Sequence, residues 1–254
     1  PLAFSRHVPV FFTDLAEGRA NAVRAAWLEP GMAPYFGSVR YLQARDFNAF
    51  KSAMRTWGAP AENQVYADTA GNIGWVAGGR SPIRTNWDGL LPVPGDGRFE
   101  WAGYLDGDLL PSRSNPPEGW IATANEMNLP ASFDYRQHKV GFEWPSDDRY
   151  QRLREVLQSQ PRHSLEDAQR LQNDLVSHTA RRLLALLAPL QSINRTTQAA
   201  LQFLRGWDAQ ESADSPQAAL LEVWWSRFLV PSFPQAVLNR AELAALRGVD
   251  PQVV

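Results

Sequence analysis

The chain has no cysteine among its 254 residues. That excludes disulfides, thiolate metal sites and a cysteine nucleophile. It also lacks any block of basic residues, and its formal net charge is −2, so the positive stripe that marks a nucleic-acid groove is missing. No apolar run reaches the roughly eighteen residues that suggest a membrane-spanning helix. The opening PLAFSRHVPV has neither an initiator methionine nor a basic-then-apolar leader, which reads as a processed or truncated piece. The Gly-x-Ser-x-Gly elbow, the phosphate loop, the paired-histidine zinc motif and the dinucleotide fingerprint are all absent.

What is present is a globular composition: 44% hydrophobic, 11% aromatic, with ten tryptophans. A chain of this length can bury roughly 70–75% of the surface its unfolded form exposes. Its two parts differ in character. Up to about residue 145 it is rich in glycine, proline and aromatics. ENQVYAD and IGWVAGG around TAGN predict a hairpin, with Gly71 and Asn72 as the residues that take the turn's unusual dihedrals. RDFNAFKSAMRTWG predicts a helix with Phe47, Phe50, Met54 and Trp57 on one stripe, capped by Asp46 and ended by Gly58. Residues 86–120, crowded with glycine and proline, predict an ordered surface loop, and ordered loops of this length are usually functional.

From about Asp147 the pattern is helical: DDRYQRLREVLQSQP, SLEDAQRLQNDL with Ser164 as N-cap, HTARRLLALLAPL, TTQAALQFLRGWD, SPQAALLEVWWSRFLV with Pro216 at the first helical position, and AELAALRG. No flexible linker separates the parts. The expectation is α+β, one domain over 1–254, with strands, a helix and loops in 1–145 and helices in 146–254.

Candidate chemistry is sparse. His7, His138, His163 and His178 have no metal-like spacing and read as structural. Asp106 and Asp108 flank a glycine as a calcium pair could, but the rest of a calcium loop is missing and a solvated turn suffices. Asp147 and Asp148 suit a helix start, whereas Arg149 opposes the dipole there and needs a carboxylate partner or another reason. In GWIATANEMNLP, Asn125 is either a turn or cap residue or a neutral N–H donor aimed at a carbonyl oxygen as it becomes an oxyanion, an interaction whose loss typically costs about 10²–10³ in rate. Composition does not choose between them.

NQVYADTAGNIGWVAGGRSPIR, LPVPGDGRFEWAGYL and NPPEGWIATANEMNLP, followed in order by the DDR helix start, SLEDAQRLQNDLVSHTA and LRGWDAQESADSPQAALLEVWW, together resemble the β-subunit of the penicillin acylase family. The resemblance covers essentially the whole chain. It implies a segment of an αββα four-layer N-terminal-nucleophile hydrolase fold. It implies an amidohydrolase that removes the acyl side chain of a penicillin or an N-acyl homoserine lactone through an ester on an N-terminal serine. That serine's own α-amino group, which titrates near pH 8, would act as base. The asparagine of the matching segment supplies an oxyanion-hole amide, which assigns that role to Asn125. The arginine opening the next helix organises nucleophile and asparagine, which assigns that role to Arg149.

The resemblance has limits. The nucleophile belongs upstream of Pro1, and SRHVPVF carries Val8 where the family has the glycine of His-Gly-Pro. The segment alone is therefore expected to be inert, with the α-subunit and the remainder of the β-subunit as its partners and the periplasm as its compartment. No cofactor is required for the chemistry. Some members hold a structural calcium, using a carbonyl that would fall near Gly89 and an aspartate that would fall near His138 or, with a shift, at Asp134; no metal site is assigned. The rival reading is a catalytically inactive relative that binds a ligand through its tryptophan-rich segments.

Overall fold

The computed structural model describes residues 3–5, 8–14, 16–32, 35–240 and 243. His7 and most of the AELAALRG helix expected near the C-terminus lie outside them. The chain forms two compact units, Pro1–Asp147 and Asp148–Val254, dividing where the composition changes. About 39% of the chain is helical and 15% strand, which is the expected α+β class.

In the first unit, β1 (Val10–Asp14) and β2 (Arg19–Ala22) form an antiparallel pair. The one-turn helix α1 (Tyr35–Ser38) leads to α2 (Phe47–Ala53). The Asp46 carboxylate caps α2 as expected, accepting from the Ala49 N–H at 2.8 Å, which satisfies one of the helix's orphan donors. A 3-10 turn, Met54–Thr56, finishes it before Gly58 is reached. The predicted stripe is the core face: Phe50, Met54 and Trp57 are buried, and Phe47 packs at the edge of a cluster of Phe50, Ala53, Met54, Tyr66 and Val76. Burial pushes the Tyr41 hydroxyl in this cluster up to about 12.

The predicted hairpin is β3 (Glu62–Ala67) and β4 (Ile73–Gly78), paired antiparallel from Glu62 with Gly78 to Ala67 with Ile73. Its turn differs from expectation. Gly71 has φ +87°, but Asn72 keeps ordinary dihedrals and is held by its neighbour instead. The Asp68 carboxylate accepts from the Ala70 N–H, the Asn72 N–H and the Asn72 side-chain amide, each at 2.9 Å. Those bonds, led by the Asn72 amide, hold the Asp68 carboxyl below the usual carboxylate range.

Residues 86–120 contain more regular structure than a surface loop. After β5 (Pro82–Arg84) comes β6 (Trp101–Tyr104), its antiparallel partner. β7 (Ser112–Ser114) adds to the free edge of β4, giving the order β3-β4-β7. The Asp106/Asp108 pair is a turn, as the simpler reading held: Asp106 caps it by accepting from the Asp108 N–H, and Arg55 bridges both carboxylates. A one-turn helix α3 (Tyr135–His138) starts on Asp134, whose carboxylate accepts from the Gln137 N–H at 3.0 Å.

The second unit is helical: α4 (Asp148–Ser159), α5 (Leu165–Gln172), α6 (His178–Leu187), α7 (Arg195–Leu204), α8 (Pro216–Trp224) and α9 (Val230–Val237). Ser164 caps α5 in a reciprocal box with Asp167, and Ser215 caps α8 ahead of Pro216. The last predicted helix runs longer than its periodicity implies. A π turn, Trp225–Leu229, carries it into α9, which includes Pro231 and, further in, Pro234, each lacking the N–H that a helical turn would use. Ala180, Leu204, Ala209 and Leu221 form the buried centre.

An ion network ties α4 to the α5–α6 connection. Arg152 meets Asp174 with two bonds, 2.9 and 2.7 Å, and Glu155 receives Arg152 and Arg181. The bond from Arg152 is the main reason the Asp174 carboxyl lies below its ordinary range. A depressed carboxyl contributes stability that is complete above the unfolded pKa, about 3.9, and is lost as pH falls through the folded value. Asp174→Asn should therefore cost about 1–3 kcal/mol at neutral pH, the worth of a part-buried charged hydrogen-bonded pair. The deficit should shrink below about pH 4, read by circular-dichroism unfolding of parent and variant across the acid range.

Candidate active-site cleft

The first unit contains a cleft of ≈ 680 Å³ whose lining includes Asn63, Arg80, Arg84, Trp101, Asn125, Glu126 and Asn128. Clefts of this size with apolar walls and a few polar groups are the usual setting for small-molecule chemistry. The segment 119–130 supplies three of those polar groups, and the structure gives each a different job.

Asn128 is scaffold. Its side-chain amide donates to Asn63 Oδ1 at 3.1 Å, and the same oxygen accepts from Trp75 Nε1 at 2.7 Å. Trp75 is buried in β4, so Asn63 fastens the segment to the hairpin. Glu126 is the surprise. It is the buried charged residue of this unit, only 6% exposed. One carboxylate oxygen accepts from the Ala124 N–H at 2.7 Å, while Oε1 has no hydrogen-bond partner. A carboxylate held this way is stabilised through one charge-assisted bond and carries the desolvation cost of the other oxygen.

Between these two lies Asn125, solvent-exposed at the cleft with φ +68°. Left-handed backbone is costly for most side chains, and asparagine is among the few that adopt it readily. The Glu126 carboxylate reaches back across Asn125 to the Ala124 N–H, closing a tight ring around it. The ring spans the bend that sets Asn125 at the cleft.

Arg149 is the second residue of α4 and exposed, in the second unit. Its neighbour Asp148 holds the acidic helix start, accepting from Thr179 Oγ1 and from Arg182 at 2.6 Å. The histidines described have structural surroundings. His138 ends α3 and packs on Phe133, His163 lies beside the α5 cap with its ring near Gln160, and His178 opens α6 at 3.4 Å from Glu155.

Sequence reading missed Glu126, Arg84 and Lys139. Arg84 lies on the cleft wall with its guanidinium over Trp87 and Trp101, 5.5 and 6.0 Å from the ring centroids. Burial pulls it below its ordinary value, opposed by Asp88. Gly89, at φ +92°, leaves the room it needs: a Cβ there would fall 2.8 Å from Arg84 Nε.

The residues near Gly89, His138 and Asp134 do not fit a calcium ion. Calcium requires several oxygen ligands, carboxylates prominent among them. The Asp134 carboxylate is spent on the α3 cap, and no cluster of three or more His, Asp or Glu side chains is found among the described residues. The backbone carbonyls of Arg84, Thr85 and Trp87 converge instead on the Lys139 ammonium.

The penicillin amidase family model matches residues 2–250. The chain belongs to this family. It is 32% identical over 256 residues to an acyl-homoserine lactone acylase, QuiP, of Pseudomonas fluorescens, covering 93% of the chain and 30% of that protein. It is 28% identical over 251 residues to penicillin G acylase of Escherichia coli, covering 91% and 28%. The fold agrees with that of a thermostable penicillin G acylase from Alcaligenes faecalis, with a TM-score of 0.74 at 23% identity over 96% of the chain and 45% of that chain. The fold is thus that of a penicillin acylase, and the chain spans 30% or less of the length of these two curated relatives. Among the described residues, no helix is long and apolar enough to cross a membrane.

The Glu126 ring makes a direct prediction. In the full-length protein, Glu126→Leu removes the acceptor of the Ala124 N–H at a cost of about 1–3 kcal/mol. Deuterium uptake by the peptide spanning 121–128 should then quicken about tenfold or more. Glu126→Gln keeps a carbonyl acceptor and should stay protected; equal uptake in both variants would remove the ring from the account.

Proposed function

We propose that the protein bearing this segment hydrolyses a linear amide, releasing the acyl group of a penicillin or of an N-acyl homoserine lactone. The attacking group is the hydroxyl of an N-terminal serine upstream. Its proton passes to that serine's own α-amine, the Oγ–carbonyl bond forms, and the C–N bond breaks as the amine leaves with the proton. Water, deprotonated by the same α-amine, then cleaves the ester. Asn125 donates its side-chain N–H to the carbonyl oxygen while that oxygen carries negative charge, and Arg149 steadies nucleophile and asparagine from the start of α4.

The observation that carries this reading is the placement of Asn125: an asparagine in left-handed backbone at the cleft, between the Glu126–Ala124 bond on one side and the Asn128–Asn63 bond on the other, in the family's matching segment. A donor fixed before the charge develops needs no reorganisation when it does, and this is where such hydrogen bonds gain their catalytic worth. The assignment of family also supports the reaction class, since the relatives above are named acylases.

The test uses the full-length protein with a penicillin and an N-acyl homoserine lactone as substrates. Asn125→Ala should lower kcat by about 10²–10³ and leave KM within a few-fold, because the interaction is made in the transition state. The parent's kcat/KM should rise with pH through the ionisation of an α-amine, near pH 8. Turnover unaffected by Asn125→Ala would remove that residue from the reaction, and binding of the amides without turnover would favour the non-catalytic alternative.

A further inference from the structure

Lys139 occupies a place where lysine is costly. It follows α3 at φ 47°, ψ 45°, the left-handed position that ends many helices and that glycine or asparagine normally fills. A lysine there bears the strain of roughly 1–2 kcal/mol that left-handed backbone imposes on side chains. Something must offset it, and the side chain shows what does. The ammonium donates to the backbone carbonyls of Arg84, Trp87 and Thr85 at 2.9, 3.2 and 3.5 Å. Its own carbonyl accepts from Arg84 Nη1 at 3.5 Å. An ammonium has three protons and no lone pair, so this arrangement uses its whole hydrogen-bonding capacity.

Three backbone carbonyls aimed at one point form a cradle for a hard cation. The charge in this one is carried by the chain. Among the described residues no cluster of three or more His, Asp or Glu side chains that could hold a metal ion is found, and the carboxylates of Asp134 and Asp88 have local work, capping α3 and accepting from the Leu90 N–H. We propose that the Lys139 ammonium is a tethered cation that locks residues 84–89 in place of a structural metal ion. This protein's acylase fold is then metal-independent at that point. The consequence reaches the cleft, because the locked residues hold Arg84 on its wall and begin the connection to β6. The proposal concerns the loop and stands or falls separately from the catalytic role of Asn125.

Two arms test it on the full-length protein. The first needs no variant: the thermal midpoint of the parent should be the same with EDTA as with millimolar calcium chloride, and a midpoint lowered by EDTA and restored by calcium would overturn the proposal. The second uses Lys139→Gly, which relieves the left-handed strain and removes the ammonium together. If Lys139 were only a helix terminator, this change would raise the midpoint and leave the loop intact. The tethered-cation role requires the reverse, with chymotryptic cleavage at Trp87 or Leu90 about tenfold faster or more, as expected for the loss of charged hydrogen bonds. Cleavage unchanged from the parent in Lys139→Gly overturns the proposal. Should that variant fail to fold, the chelation arm alone decides.

Discussion

One short hydrogen bond, from the Ala124 N–H to the buried carboxylate of Glu126, governs what the cleft can present. It spans the left-handed bend at Asn125 and ties the residues on either side of it together. The bond is strong because its acceptor is charged and largely removed from water, and the same seclusion makes it costly, since the other oxygen has no partner. A stability-optimised turn would place a small polar residue at 126 and let water serve the amide. Retaining a buried carboxylate there makes sense when the position of the residue between matters more than the energy of the turn.

The bend would still drift if the segment were not anchored beyond it, and that anchor is Asn63. Its side-chain oxygen takes Trp75 with one lone pair and Asn128 with the other. Trp75 is fixed by burial in β4, β4 is fixed by pairing on both sides, and the hairpin rests on the α2 core. A chain of contacts thus runs from apolar packing through a sheet to an amide pair and ends at the exposed Asn125. Each step converts a less directional force into a more directional one: burial sets the strand, the strand sets Asn63, and Asn63 sets the segment to within hydrogen-bond tolerance.

This hierarchy explains what could be read in the sequence. The α2 stripe, its Asp46 cap, the hairpin and the caps at Ser164 and Ser215 are local consequences of residue order, and each stands where periodicity and capping placed it. The strands β6 and β7 escaped notice because three or four residues are too few to show alternation, and they exist through partners distant in the chain. Asn125 and Asn128 cannot be told apart locally. The partner of Asn128, Asn63, lies sixty-five positions away, beyond the reach of local pattern. Glu126 and Lys139 look like ordinary surface charges in a string of letters, since nothing beside them signals that one is buried and the other surrounded by carbonyls. The assignment of Asn125 comes from the family resemblance, which carries long-range information that periodicity lacks.

Arg84 and Lys139 raise a last question of electrostatics, since two cations share one short stretch of backbone. They coexist because they are neutralised differently. The ammonium is solvated by carbonyl dipoles, which supply negative potential without a formal charge, and the guanidinium spreads its charge over the faces of Trp87 and Trp101. The ammonium's partners are all carbonyls, whereas the Asp88 carboxylate offsets part of the effect of burial on the guanidinium. That has a bearing on the chemistry proposed next to it. An oxyanion forming at Asn125 is stabilised by donors and destabilised by any fixed negative charge close by. A loop closed by carbonyls on an ammonium holds its shape as firmly as one closed by aspartates on a metal, while adding positive rather than negative formal charge to the wall of the first unit's cleft.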